Sequence, residues 1–358
     1  MANTTTASAN VVTRFESEFF SEYVRDNLFS AYTGTSSNNT IVIKEEKKIV
    51  SIPLIAKLSG NGVSGSSTLD GNEEILANYA YTLTPTYWRN AVRMSAEERE
   101  KPNIDLMKGA RAALMNWAME KTRDDIIKYG LGSMTGTGTR VTVDNTTAAI
   151  NTTADIWVAA NSDRVLYGAA TSNYSASDHS ASLANIDTTN DKLTGDVVRL
   201  ARKIARTADP IIRPIRLANG VETYILFCGT QGFLHLQEDL ETLHSNAGTR
   251  GEGNPLFKPG DLIWDNVIIR EIPEISTLLA NSTYYATAGN ATTKVEPAFL
   301  CGAQAVGFGL GQRPSIKVDR LKDYEFQPGV AVEMKHEIDK LIYNTKDHGV
   351  VSVFVTGQ

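Results

Sequence analysis

The chain has 358 residues, of which 42% are hydrophobic and 21% charged, so disorder, collagen and coiled coil are excluded as overall descriptions. Its formal net charge of −6 excludes a protein whose main work is gripping nucleic acid through a basic face. No apolar run approaches the ~20 residues that a membrane span needs, so no membrane role is expected.

This length allows two compact domains, or one with long excursions that rest on other molecules. The two cysteines, Cys228 and Cys301, form no C-x-x-C unit. The opening MANTTTASANVV has neither a charged nor an apolar signal region, and synthesis in a reducing cytoplasm is expected.

In chain order, Phe15, Phe19 and Tyr23 fall at i, i+4 and i+8, widened by Phe20, Val24 and Leu28, which predicts a short amphipathic helix. Its aromatic face has no partner nearby in sequence. From Thr40 the period changes to two. Val50, Ile52, Leu54, Ala56 and Leu58 alternate with Ser51, Pro53, Ile55 and Lys57, and Ala77, Tyr79, Tyr81 and Leu83 repeat the pattern. Two strands are predicted, joined by a tip over 59–75 that carries Gly60, Gly62, Gly65 and Gly71. Strands of ~9 residues extend ~30 Å, and a two-stranded ribbon is marginal in water, so this arm needs a surface to lie on. That surface is either a sister molecule or a larger sheet of its own chain.

Tyr87 to Arg93 alternates again, and Ser95 with Glu98 has capping-box spacing before Pro102 interrupts. Asn103 is the predicted cap of a long helix in which Met107, Ala110, Leu114 and Trp117 recur at spacings of three and four, ending near Tyr129 before Gly130 and Gly132. Such a helix is ~40 Å long and reads as a strut. The Thr/Ser/Asn/Ala-rich stretch 134–190 is expected to hold short strands and surface loops around Ile156 to Leu166. A helix from Thr194 through Ala205, a buried strand Glu222 to Phe227, a helix Gln231 to Leu243 and a strand Asp261 to Ile272 suggest a separate α/β or α+β domain. Strands Ser315 to Val318, Gly329 to Ile338 and Val350 to Val355 follow.

Catalytic chemistry is hard to find. None of the histidines at 179, 235, 244, 336 and 348 sits in H-E-x-x-H. His235-x-x-Glu238 and Glu241-x-x-His244 share a helix face, but a metal site of that kind needs matching ligands from other helices, so the structural reading outweighs the metal one. Gly60-x-Gly62-x-x-Gly65 fits the dinucleotide spacing but precedes no predicted helix, and 307–311 is glycine-rich without that spacing and reads as a strand edge or tight crossing. No P-loop or G-x-S-x-G elbow occurs. Adjacent acidic pairs diverge, and Arg202, Lys203 and Arg206 read as the wet face of a helix. No catalytic, cofactor or metal residue is assigned, and a non-enzyme is expected.

Leu58-Ser59-Gly60-Asn61-Gly62-Val63, Leu69-Asp70-Gly71-Asn72-Glu73-Glu74 and Trp88-Arg89-Asn90-Ala91-Val92-Arg93 resemble, in that order, the major capsid proteins of tailed phages typified by podovirus N-four. Similarity continues at Val295-Glu296-Pro297-Ala298-Phe299-Leu300 and over Gly307 to Arg313. The resemblance implies an α+β chain of the Hong Kong 97-type fold: N-arm 1–40, extended loop and flanking strands 41–95, peripheral domain with spine helix 96–132, axial domain 133–311 with a polar insertion at 134–190, and peripheral strands 312–358. It also implies a shell of hexamers and pentamers around double-stranded DNA, assembled in the host bacterial cytoplasm with a scaffolding protein, a portal and, as a further partner, a decoration protein, with only weak non-specific DNA contact. Expected subunit-interface residues are Leu58, Gly60, Gly62, Val63, Gly65, Leu69, Gly71, Glu73 and Glu74 on the loop, and Phe15, Phe19, Phe20 and Tyr23 on the arm. Met107, Leu114 and Trp117 would line the spine helix. An encapsulin-like compartment shell, a tail or decoration protein, and an enzyme built on about 194–311 remain alternatives at this point.

Overall fold

A computed structural model describes residues 24–46, 48–66, 68–95, 97, 106–217, 220–247, 262–319, 324 and 326–358. The aromatic stripe Phe15, Phe19, Phe20 and Tyr23 and the cap at Asn103 lie outside these residues. The chain divides into two compact units, a smaller one containing 87–121 and 312–335 and a larger one containing 28–86, 122–311 and 336–358.

In chain order, β1 (Thr33–Gly34) and β2 (Ile41–Glu45) precede β3 (Val50–Ile55) and β4 (Asn78–Leu83), which pair antiparallel as a hairpin with Val50 opposite Leu83 and Ile55 opposite Asn78. The period-two reading holds: Val50 is buried and Ile52 and Leu54 half-buried, whereas Ser51, Pro53 and Ile55 face water. The hairpin is shorter than the sequence pattern. Its last rung is the bond from the Ala56 amide to the Ala77 carbonyl at 2.9 Å, beyond which Leu58 belongs to the tip. β5 (Thr86–Arg93) follows, then α1 (Leu106–Asp125), which continues as a π turn over Ile126–Leu131. That wider turn ends at Gly132, whose amide donates to the Ile127 carbonyl at 2.8 Å. A side chain on Gly130 would come within 2.9 Å of Val306, so the close approach requires glycine.

The stretch 134–190 departs from expectation. After the short hairpin β6 (Met134–Gly136) and β7 (Thr139–Val141) come α2 (Thr147–Ala160), β8 (Val165–Tyr167) and α3 (His179–Ala184). Ile156 therefore lies on a helix and not in a strand or loop, and Ile150, Ala154, Trp157 and Val158 on the same helix are almost fully buried. The region is core, not a surface insertion. Most of its Thr and Asn residues are exposed or half-buried, whereas Thr142, Thr153 and Asn161 are buried.

Next come α4 (Gly195–Thr207), capped by the Thr194 hydroxyl, β9 (Ile215–Arg216), β10 (Glu222–Cys228) and α5 (Thr230–Ala247). The single strand expected over 261–272 is a hairpin, β11 (Leu262–Trp264) and β12 (Val267–Glu271), because Asp265 and Asn266 both take positive φ (45° and 56°) as the two-residue turn requires. β13 (Val295–Cys301), β14 (Val306–Asp319), β15 (Gly329–Lys340), β16 (Ile342–Tyr343), β17 (Lys346–Asp347) and β18 (Val350–Thr356) complete the chain.

In the larger unit a mixed sheet runs β11-β12-β10-β13-β18-β8, with β9 added at β10. Both faces are covered. Val197, Val198 and Ala201 of α4 and Leu236 of α5 pack with Tyr224, Leu226, Leu300 and Val353 on one side. Trp157 and Val158 of α2 and Ile127 pack with Ile225, Phe227, Phe299 and Phe354 on the other. Burial on both faces is why β10, β13 and β18 read as nearly unbroken apolar runs. In the smaller unit β5 pairs with β15 and β15 with β14, and Leu114 and Ala118 of α1 pack with Val330, Val332 and Met334, joined by Trp88, Met107 and Trp117.

Several buried polar groups of the larger unit are paired. Lys340 Nζ donates to Asp347 Oδ2 at 3.0 Å and to the Ser133 carbonyl at 2.9 Å, and Trp157 Nε1 donates to the same carboxylate at 3.1 Å. His179 is enclosed by Trp157, Tyr167, Tyr284 and Phe354, with its Nδ1 2.6 Å from the Tyr167 hydroxyl. Burial pulls its pKa from 6.5 to about 3, and burial likewise lowers His348 to about 4. Because these folded values lie below the unfolded one, the unfolded chain binds more protons between them and stability falls as pH drops below 6.5. A urea titration series of the unassembled subunit from neutral pH down to about 4.5 should show His179 contributing a loss approaching ~1.4 kcal/mol per pH unit. A His179→Phe variant should give a shallower slope in that window, and an unchanged slope would contradict the burial account.

Candidate subunit interface

The hairpin β3–β4 has a base held by its own chain and a tip that is not. At the base Val50 is 4% and Leu83 0% exposed. The Tyr81 hydroxyl donates to Asp339 Oδ2 at 2.5 Å, Arg140 Nη1 donates to the same oxygen at 2.7 Å, the Thr84 amide donates to Glu337 at 2.5 Å, and the Tyr343 hydroxyl donates to the Ile52 carbonyl at 3.1 Å. Burial pushes Asp339 above the ordinary carboxylate range, with Arg140 opposing, while burial and the Asp339 charge push the Tyr81 phenol well up and keep it a donor. Gly307 lets β14 cross close beneath: a Cβ there would meet Leu341 at 2.8 Å and Leu83 at 3.1 Å. The glycine-rich 307–311 is thus a tight crossing and not a phosphate cradle.

Past Ala56 no helix or strand forms among the described residues until Asn78. The sequence-predicted residues Leu58, Gly60, Gly62, Val63, Gly65, Leu69, Gly71, Glu73 and Glu74 all fall on this tip, and the two motifs that flank it meet. Glu74 accepts from the Ser59 amide at 2.6 Å, the Gly60 amide at 2.8 Å and the Ser59 hydroxyl at 3.2 Å. Those amides, Ser59 first, hold its carboxyl below the ordinary range. On the facing side Leu69 to Asn72 form a tight turn, closed by the Asn72 amide on the Leu69 carbonyl at 3.0 Å, with Gly71 at φ 85° where only glycine is unstrained. Glu73 accepts from the Gly71 amide at 2.9 Å. The tip is organised by these polar clasps, because it has almost no apolar interior of its own.

Its apolar side chains point to water. Leu58 is 54%, Leu69 63%, Leu76 54% and Ile75 91% exposed. Ile75 and Leu76 were not singled out by the motifs, although two adjacent aliphatics directly after Asn-Glu-Glu in an otherwise polar tip were the available signal. The anchors Tyr81, Arg140, Glu337 and Asp339 carried no such signal, being separated by up to 258 positions. Of the strut residues, Leu114 is buried and Met107 and Trp117 half-buried, all directed into the smaller unit's own core.

Other candidates take structural places. His235 is buried with Nε2 3.1 Å from Gln231, and among the described residues no group of His, Cys, Asp and Glu is arranged to hold a metal ion. Arg202 pairs with Asp265 at 2.6 Å and Arg206 with Glu222 at 3.9 Å. Cys228 and Cys301 are free and buried.

The sequence profile of the phage capsid protein family matches residues 3–356. This chain belongs to that family. The capsid protein is 26% identical over 359 aligned residues to the major capsid protein of Pseudomonas phage KPP25, an alignment covering 90% of this chain and 89% of that one. Its structure superposes on the capsid chain of cyanophage Pam1 with a TM-score of 0.89 at 30% identity, covering 100% of both chains. The capsid of Ralstonia phage GP4 shares the fold, with a TM-score of 0.71 at 22% identity over 100% of this chain and 99% of that one. The α+β architecture is that of the Hong Kong 97-type fold, and the protein is a structural part of a phage virion.

Because the Glu74 clasp orders only the tip, a Glu74→Ala variant of this capsid protein should exchange the Ser59 and Gly60 amides about tenfold faster or more, with the body's melting temperature within ~2 °C of the parent. Unchanged exchange at both amides would show that the clasp is absent in solution.

Proposed function

We propose that this capsid protein is the principal shell subunit, self-assembling into hexamers and pentamers that close an icosahedral lattice around double-stranded DNA, and that its hairpin does this by lying on a neighbouring copy. The carrying observation is the tip with Leu58, Leu69, Leu76 and Ile75 from 54% to 91% exposed on an arm whose base alone is anchored. An isolated subunit gains nothing from such a patch, whereas a neighbour's surface removes it from water. Each of these side chains contributes about 1–2 kcal/mol on burial, so a single contact is worth a few kcal/mol and is weak by itself. A subunit touching several neighbours forms the later contacts at high effective concentration, and weak bonds then hold a closed shell.

In this reading residues 1–40 act as an N-arm, 41–95 as the extended loop, 96–132 as the peripheral strut, 133–311 as the axial domain and 312–358 as returning peripheral strands. Phe15, Phe19, Phe20 and Tyr23 supply a second interface through their apolar stripe. Assembly takes place in the host bacterial cytoplasm, a separate scaffolding protein directs it, a portal occupies one vertex, and a decoration protein is a further partner. DNA contact is weak and non-specific, in keeping with the net charge of −6. No catalytic step is required.

Deleting Gly60 to Glu73 should leave a folded subunit with an unaltered melting transition that makes no closed shells, as seen by negative-stain imaging beside the parent. Shells of normal size and yield from that variant would refute the arm mechanism.

A further inference from the structure

The hairpin tip carries a reactive dipeptide that a contact surface does not require. Asparagine followed by glycine readily loses its side-chain amide, because the next backbone nitrogen can attack the side-chain carbonyl carbon and glycine puts no side chain in the way. The chain contains two such pairs, Asn61-Gly62 and Asn219-Gly220, and one aspartate followed by glycine, Asp70-Gly71, which closes the same ring more slowly. The attack needs a glycine nitrogen that is not held in a hydrogen bond.

Hydrogen bonding separates the three. The Gly220 amide donates to the Leu217 carbonyl at 2.9 Å, in the turn that joins β9 to β10. The Gly71 amide donates to Glu73 at 2.9 Å. The Gly62 amide has no acceptor among the described residues, and neither has the Asn61 side chain. Glu74 ties down the amides of Ser59 and Gly60, so the clasp stops one residue short of Asn61. Asn61 and Gly62 are exposed, and a Cβ on Gly62 would meet nothing within 4 Å, which leaves open space for the ring to close.

We propose that Asn61 is a self-modification site of the unassembled subunit, converting through a succinimide to aspartate and isoaspartate. The Gly62 nitrogen gives its proton to a solvent base and bonds to Asn61 Cγ, the Cγ–Nδ2 bond breaks, and ammonia leaves. Water then opens the ring, at Cγ to give aspartate or at the backbone carbonyl carbon to give isoaspartate. In sum one water is consumed and one ammonia is released. Either product puts a carboxylate one residue from the amides that hold Glu74, where like charge opposes the clasp. Isoaspartate also lengthens the backbone by one carbon. The tip then loses the shape and charge it presents. On the reading that the tip lies on a sister subunit, assembly covers Asn61 and halts the reaction, and the dipeptide limits how long a free subunit stays competent.

The full-length subunit, kept unassembled at mildly alkaline pH and followed by peptide mapping with mass spectrometry, tests this. Asn61 should convert at least about tenfold faster than Asn219 or Asp70, whose glycine amides must first open, and faster still as pH rises. Equal conversion at Asn61 and Asn219, or an intact Asn61 after Asn219 has reacted, would overturn the site. When an aged sample is assembled, the modified fraction in closed shells should be at least about threefold below that in the leftover subunits, since a misplaced like charge rejects a contact. An Asn61→Gln variant keeps an amide but disfavours the ring, and thermal melting checks its fold. Its shell yield should not fall on ageing. Equal modified fractions in shells and leftovers, or the same loss of yield in the aged glutamine variant, would overturn the limit on competence. Conversion that runs in shells as fast as in free subunits would confirm the reactive site yet put the tip in solvent, sinking the docking reading alone.

Discussion

Two strands can satisfy only half of their backbone hydrogen bonds with each other, and in water such a ribbon is marginal. The hairpin of this capsid protein meets that constraint by splitting its length. Its first rungs, from Val50 opposite Leu83, sit on β14, held by Tyr81 and Arg140 on Asp339 and by the Thr84 amide on Glu337. Beyond Ala56 and Ala77 the hairpin's ladder ends, and among the described residues no further strand continues it. What remains is shaped locally by Glu74 on Ser59 and Gly60, which fixes a geometry without burying apolar surface. The tip is thus preorganised and unsatisfied at once, a combination that stabilises an assembly more than it stabilises a monomer.

The rest of the molecule supplies rigidity for that arrangement. A sheet covered on both faces, with Lys340, Asp347 and Trp157 locked in one buried polar network, gives the arm a base that does not yield. The carboxylate of Asp347 and the ammonium of Lys340 have only each other and a few dipoles for solvent, so breaking either partner would leave a buried charge uncompensated. The larger unit is in this sense a mount, and its apolar strands are there to be covered, not to bind.

Much of this was legible in the sequence because the arm obeys the simplest code. Period-two alternation at Val50, Ile52 and Leu54 survives in the structure, as does the glycine-bearing tip, since both depend on local backbone preferences. The ends of the strands were not legible. Alternation continues through Leu58, and only the tertiary fact that β14 lies under the first rungs decides where pairing stops. Residues 147–160 were hidden by composition: Thr and Asn dominate the eye, while Ile150, Ala154, Trp157 and Val158 fall at helical spacing and are the residues that matter. Long-range polar partners such as Tyr81 with Asp339, or His336 with Asp125 at 2.9 Å, carry no pattern at all, because nothing near either residue in the chain announces the other.

The central claim is that the exposed tip is completed by another copy of the same chain. An electron cryo-microscopy map of the assembled particle, at a resolution that shows side chains, tests this most directly. It should show Leu58, Leu69 and Ile75 of each subunit covered by a neighbouring subunit, with the base still anchored on Asp339 as in the single chain. A particle in which those side chains stay in solvent, or in which the tip folds back over its own larger unit, would contradict the account.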